Sequence, residues 1–171
     1  MNKERGMKKI LAFLAISMTA GYALADAPIT GNVQSRCVVT TDTPGVYGNP
    51  NAYTLTTDAA DGGVMPIVRF DVTLADAYYA QITTPTEFTS SPSLSDTVTW
   101  TGSTEVSALS DATNMGDYET NKTTFGATTQ YDLTATGSTW FKSSSEATYG
   151  GNKAFPGGQY SATVEAKCIA Q

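Results

Sequence analysis

Two segments near opposite ends of this 171-residue chain alternate apolar and polar residues with a period of two, and each carries one of the only two cysteines in its apolar phase. From Pro28 to Val39, the residues Ile29, Gly31, Val33, Ser35, Cys37 and Val39 share one face, while Thr30, Asn32, Gln34, Arg36 and Val38 share the other. From Gln159 to Ile169, Tyr160, Ala162, Val164, Ala166 and Cys168 alternate with Ser161, Thr163, Glu165 and Lys167. A period of two is the signature of a strand. The pattern therefore sets a cysteine on the apolar face of the first strand and of the last. A Cys37–Cys168 bridge would fasten those strands together and remove on the order of 5 kcal/mol of unfolded-state entropy. Free thiols and an intermolecular link stay open as the alternatives.

The compartment bears on that choice. Lys8 and Lys9 precede an apolar run from Ile10 to Ala20, and Ala23-Leu24-Ala25 closes the segment. This is the three-part pattern of a secretory signal peptide, with cleavage expected after Ala25 and residues 1–25 removed. An uncleaved anchor helix is the competing reading, although the run falls short of the roughly 20 residues a spanning helix needs. Export exposes both cysteines to an oxidising environment, which favours a disulfide. The leader also holds four of the 10 basic residues and one of the 16 acidic ones, so the remainder carries a net charge of about −9. That charge argues against nucleic acid or an anionic membrane as partner and favours solubility outside the cell.

Residues 26–171 read as a single all-β domain. Thr, Ser, Gly, Tyr and Val dominate, the types suited to pleated, half-buried strands and their turns. The clearest strand is Val64 to Leu74, with Val68, Phe70, Val72 and Leu74 facing one way and Arg69, Asp71 and Thr73 the other. Further strands are expected over 52–57, 78–84, 97–102, 128–136 and 159–169. Thr43-Pro44-Gly45, Tyr47-Gly48-Asn49-Pro50, Asp61-Gly62-Gly63, Thr101-Gly102-Ser103, Thr136-Gly137-Ser138 and Phe155-Pro156-Gly157-Gly158 are expected to turn the chain. Residues 107–126 read as a long polar loop. Many short strands with frequent turns imply a sandwich or barrel, and no second apolar stretch suggests membrane insertion.

The chemistry is limited. With no histidine, the chain cannot build a Ser-His-Asp or Cys-His apparatus or a histidine metal site. No phosphate-binding glycine loop occurs, and two distant cysteines cannot make a four-cysteine zinc site. The acidic pair Asp117 and Glu119 is the one weak candidate for hydrolysis. Asp111, Asn114, Asp117 and Glu119, and separately Asp58 and Asp61, offer oxygens for calcium, but their spacing fits no EF-hand and turn-forming roles compete. Tyr47, Tyr53, Tyr78, Tyr79, Tyr118, Tyr149, Trp100 and Trp140 are candidates for stacking on a sugar or partner, with burial favoured for the two tryptophans. Asn121-Lys122-Thr123 matches a glycosylation sequon that a bacterial leader makes inert. Neither an enzyme nor a cofactor is expected.

An exported Thr- and Gly-rich chain that starts Pro28-Ile29-Thr30-Gly31-Asn32-Val33 before an early cysteine resembles a pilin of the chaperone-usher type. The stretch Phe155-Pro156-Gly157-Gly158-Gln159-Tyr160-Ser161-Ala162-Thr163-Val164 is similar to the approach to the last strand in the archaic, spore-coat-like branch. The resemblance implies an immunoglobulin-like β-sandwich, incomplete and completed by a donor strand from another subunit. It implies that Ile29, Gly31 and Val33, within an extension over 26–36, are donor positions. Tyr160, Ala162 and Val164 would line the acceptor groove. It also implies a homo-oligomeric filament on the cell surface, mediating attachment or biofilm cohesion, with a periplasmic chaperone and usher as partners. The chain departs from the family in its cysteines, since family members usually bridge the first strand to the second. That departure leaves either a divergent filament subunit or a sandwich complete in itself, a monomeric exported module binding carbohydrate or protein.

Overall fold

A computed structural model describes residues 36–171. The expected signal peptide (1–25) and donor positions Ile29, Gly31 and Val33 lie outside the described residues.

The described chain is an all-β sandwich of two antiparallel sheets. The first sheet contains β1 (Cys37–Thr43), β2 (Gly48–Asn51), β3 (Thr54–Thr56), β4 (Ile67–Val72), β6 (Val98–Leu109) and β9 (Gly137–Tyr149). The second has the order β10 (Glu165–Ala170), β5 (Tyr78–Thr83), β8 (Thr128–Asp132) and β7 (Thr123–Phe125). The long β9 organises the first sheet. Along one side it pairs first with β4, Trp140 opposite Arg69, and then with β3, Thr148 opposite Thr54. Along its other side it pairs with β6. A short helix α1 (Tyr118–Asn121) plugs part of the free edge of β6, Glu119 accepting from the Val106 amide and Lys122 donating to the Thr104 carbonyl. Covering an exposed edge with charged side chains in this way discourages unwanted pairing.

Inward residues of both sheets meet in one core. Val68, Phe70 and Val72 of β4 alternate with outward Arg69 and Asp71, as the period-2 pattern predicts, whereas Leu74 lies past the strand and is 40% exposed. Phe70 stands edge-on to Phe141 at 5.5 Å, and Phe141 lies 4.4 Å from Tyr131, the geometry that aromatic quadrupoles favour. Met115 and Tyr118 are buried against this cluster. The Tyr131 hydroxyl donates to the Thr104 carbonyl at 2.8 Å.

Several expected boundaries are corrected. Trp140 stands in a strand-like run to which the sequence assigns no bounds, and Thr136-Gly137-Ser138 reads as a turn, yet β9 begins at Gly137. Thr101-Gly102-Ser103 is not a turn but the middle of β6, which continues to Leu109. Gly102 sits there because a Cβ would come within 2.7 Å of the Ser144 carbonyl oxygen. The expected strand over 52–57 is the second arm of a tight β2–β3 hairpin turning at Ala52-Tyr53, so Tyr47-Gly48-Asn49-Pro50 leads into a strand rather than a turn. The polar 107–126 stretch contains α1 and the start of the β7–β8 hairpin. Among the described residues, no helix is long and apolar enough to cross a membrane.

Candidate functional site

Three features of the sequence open a cleft beside the core. First, the inward positions of β9 change from Phe141 to Ser143 and Ser145, both buried and small. Thr57 joins them there, its hydroxyl accepting from the Ser145 amide. Small side chains leave volume that the aromatic half of the core does not reach. Second, β5 stops at Thr83 and is followed by the buried Pro85, whose ring nitrogen cannot donate to a ladder. The last strand therefore pairs with β5 only from Glu165 onward. The strand expected over 159–169 is hydrogen-bonded to its neighbour over 165–170, and upstream of it only Ser161 is pinned, by backbone bonds with Thr89 and Ser90. Third, β1 bulges between Thr41 and Thr43, and Pro44-Gly45 carries the chain off the sheet edge.

The result is a cleft of about 570 Å³ between the end of β1 with its following turn and the segment 158–164. Val68 and Leu55 line it from the first sheet. Tyr160, Ala162 and Val164, the positions for which the resemblance implies a groove, line it from the last segment together with Gly158, Ser161 and Thr163. The half-buried side chains of the first three alternate with exposed Ser161, Thr163 and Glu165. Among the described residues, no charged one lines the cleft. Its polar groups are hydroxyls, among them Tyr47, which bonds Ser145 at 2.9 Å and whose burial pushes its pKa up, against the lowering effect of that bond. The Tyr160 hydroxyl is pushed up too, by burial first and then by Tyr149, and it donates to the Pro156 carbonyl at 2.7 Å. Both stay neutral at ordinary pH.

Both walls carry ladder groups aimed into the cleft. The Thr73 amide donates to the Arg36 carbonyl, which sets even-numbered residues of β1 toward β4 and leaves the backbone of Val39 and Thr41 at the open edge. On the other wall the backbone bonds of Ser161 point to Ser90, away from the cleft, and the backbone of 162–164 has no hydrogen-bond partner among the described residues. An uncharged trough lined by apolar side chains and hydroxyls, with unpaired backbone along its walls, has the chemical requirements of an extended peptide: side chains go down and amides pair sideways.

The cleft has a closed end and an aromatic end. Cys37 and Cys168 form a disulfide, as the phase of the two alternating segments predicts, with their Cα atoms 6.2 Å apart. At the other end Phe88 gathers Trp100 at 4.7 Å, Tyr160 at 5.0 Å, Phe155 at 6.0 Å and Tyr47 at 6.5 Å. Trp100 joins this cluster, whose five rings are all half-buried, so it falls short of the favoured burial. Trp140 departs from the favoured burial: it is half-buried on the outer face of the first sheet, with Arg69 over its ring and its indole N–H donating to Asp42. Tyr118 and Tyr149 are buried, so neither offers a stacking face.

The acidic candidates are engaged locally. The Asp111 carboxylate accepts from the Thr113 and Asn114 amides and from the Asn114 side chain, which holds its pKa below the usual range. Asp117 accepts from Asn121, Glu119 pairs with Lys122, and Asp58 accepts from the Ala60 amide. Among the described residues, no three His, Cys, Asp or Glu side chains gather where they could hold a metal. The cleft itself is the feature that sequence reasoning only half reached. Its wall at Tyr160, Ala162 and Val164 is what the resemblance implies, but the wall from Thr41 to Tyr47 is made by a bulge and a turn that no periodicity signals.

Comparison of the chain with family models, curated proteins and solved structures returns no match.

Proposed function

We propose that this protein is a structural subunit of an extracellular filament, assembling by strand addition. A segment N-terminal to Arg36 of one copy fills the cleft of the next. The observation that supports this best is the pairing of an uncharged trough, flanked by unpaired backbone, with an uncharged alternating segment in the same sequence. From Ala27 to Ser35 there is no charged residue, and the stretch is bounded by Asp26 and Arg36. Ile29 and Val33 would supply the apolar side chains, each burial contributing roughly 1.5–3 kcal/mol.

The direction of the chain favours another copy as the recipient. Arg36 extends the β1–β4 ladder past the bridge, its amide donating to the Thr73 hydroxyl and its carbonyl accepting from the Thr73 amide. Arg36 lies at the end of β1 opposite Thr41, where the cleft begins. A contact that joins one end of a molecule to the other end of its neighbour is head-to-tail, and it builds an open filament wherever its rotation does not close a ring. Export by the signal peptide, a place on the cell surface in attachment or biofilm cohesion, and a chaperone that shields the cleft before assembly belong to the same reading.

The test compares the full-length chain, a chain lacking residues 26–35, and Ala162→Asp, which puts a charge in the trough. Light scattering and electron microscopy should show polymers only for the first, while both variants still unfold cooperatively, at a temperature below that of the polymer. A full-length protein that stays monomeric at high concentration would refute the proposal and leave a self-sufficient binding module.

A further inference from the structure

Resting on the strand-addition reading, we propose that the Cys37–Cys168 bridge is a stop that fixes how far the inserted strand can run. Neighbouring strands in a sheet lie ~4.8 Å apart, so a strand placed between two others holds those two ~9.6 Å apart. At the bridge the two walls have closed to a Cα separation of 6.2 Å. Nothing as wide as a backbone passes between them there.

The consequence is a short acceptor. The Gln171 amide donates to the Ala77 carbonyl, which places odd-numbered residues of β10 toward β5 and the backbone of Ala166, Cys168 and Ala170 at the strand's outer edge. Without the bridge that edge would continue the docking surface to the end of the chain. With it, the usable wall is 158–164, since every last-strand residue that lines the cleft falls in that range. Seven residues of strand span about 23 Å. The alternating segment Pro28-Ile29-Thr30-Gly31-Asn32-Val33-Gln34 has the same length and holds all three donor positions. A ten-residue arm after the expected cleavage site is therefore sufficient, because the bridge has shortened what it must fill. The same cysteine anchors the arm of the subunit that donates it, so each joint lies between two disulfides.

Amide hydrogen exchange on the assembled and unassembled full-length chain tests this. Assembly should slow exchange at least tenfold at Ala162 and Val164 and leave Ala166, Cys168 and Ala170 within about twofold of their unassembled rates. Slowing that continues through Ala166 to Ala170 would overturn the stop while leaving strand addition intact. An absence of slowing at Ala162 and Val164 would overturn strand addition itself. A second measurement uses competitor peptides, one with the sequence of residues 26–35 and one lengthened by four alternating Val and Thr residues at either end. Both should inhibit assembly of the bridged chain at concentrations within twofold of each other. Tenfold stronger inhibition by a lengthened peptide would count against the stop.

Discussion

Replacing Tyr131 by Phe should reverse its effect on stability between neutral and alkaline pH. Tyr131 is fully buried between the sheets, and its hydroxyl donates to the Thr104 carbonyl, which also accepts from Lys122. Removing the hydroxyl leaves that carbonyl one donor, so the loss at pH 7 is that of a single net hydrogen bond, about 1 kcal/mol. Burial, and then the nearby Glu119 and Glu105 charges, push the Tyr131 pKa well above 10. A group with a raised folded-state pKa contributes its full stability below the unfolded value and loses it as pH climbs above that value. In the unfolded chain Tyr131 ionises near pH 10, while in the folded protein it keeps its proton. At pH 11 that difference costs the wild type about 1.4 kcal/mol, a cost the Phe variant escapes. The two stability curves should cross between pH ~10.5 and ~11. Urea unfolding followed by tryptophan fluorescence at pH 7, 10 and 11 measures both proteins. Their other tyrosines and lysines are the same, so those contributions cancel. A difference of constant size and sign across that range would refute the argument from burial.

Removing the bridge with Cys37→Ser and Cys168→Ser releases a loop of 131 residues and should cost about 5 kcal/mol, a fall in melting temperature of about 15 °C in a thermal scan. Gly102→Ala forces a methyl to 2.7 Å from the Ser144 carbonyl oxygen, and the displacement of β6 from β9 should lower the urea midpoint by the equivalent of about 1–3 kcal/mol. Hydrogen bonds from Lys153 and the Thr97 amide hold the Asp96 pKa below the ordinary carboxylate value. Its contribution is present above pH ~4 and fades on acidification through the depressed pKa. In Lys153→Gln, an NMR titration should find the Asp96 carboxyl titrating at a higher pH than in the wild type.

Legibility in the sequence followed the contrast between the two faces of each strand. β4 was plain because Val68, Phe70 and Val72 alternate with Arg69 and Asp71. The last strand was plain because its inward residues are apolar and its outward ones are Ser, Thr, Glu and Lys. β9 was hidden, although it is the longest strand and the centre of its sheet. Its inward Ser143 bonds the Thr104 hydroxyl and its inward Ser145 lines the cleft, so they look no different from outward Ser144. Gly102 misled for a related reason, since a glycine needed for close backbone approach carries the same letter as one needed for a turn. The groove positions Tyr160, Ala162 and Val164 came from the resemblance; they line the cleft together with Gly158, Ser161 and Thr163, so the lining itself does not alternate. The opposite wall depends on a bulge in β1 and on Pro85 ending β5, and these act through tertiary geometry.

The covalent link between the first and last strands also determines where tension would go in a polymer joined as proposed. A pull on the arm enters at Cys37, and the next subunit's grip is on two walls, β1 as far as Thr41 and the stretch ending at Val164. The first is reached from Cys37 along β1 itself, the second across one sulfur–sulfur bond and the few residues from Cys168 back to Val164. Almost the whole fold hangs beside these two short routes like a bead clipped to a cord. Stretching such a fibre would strain the joints and leave the beads folded, until a reductant opened the clip and left β1 as the one short route.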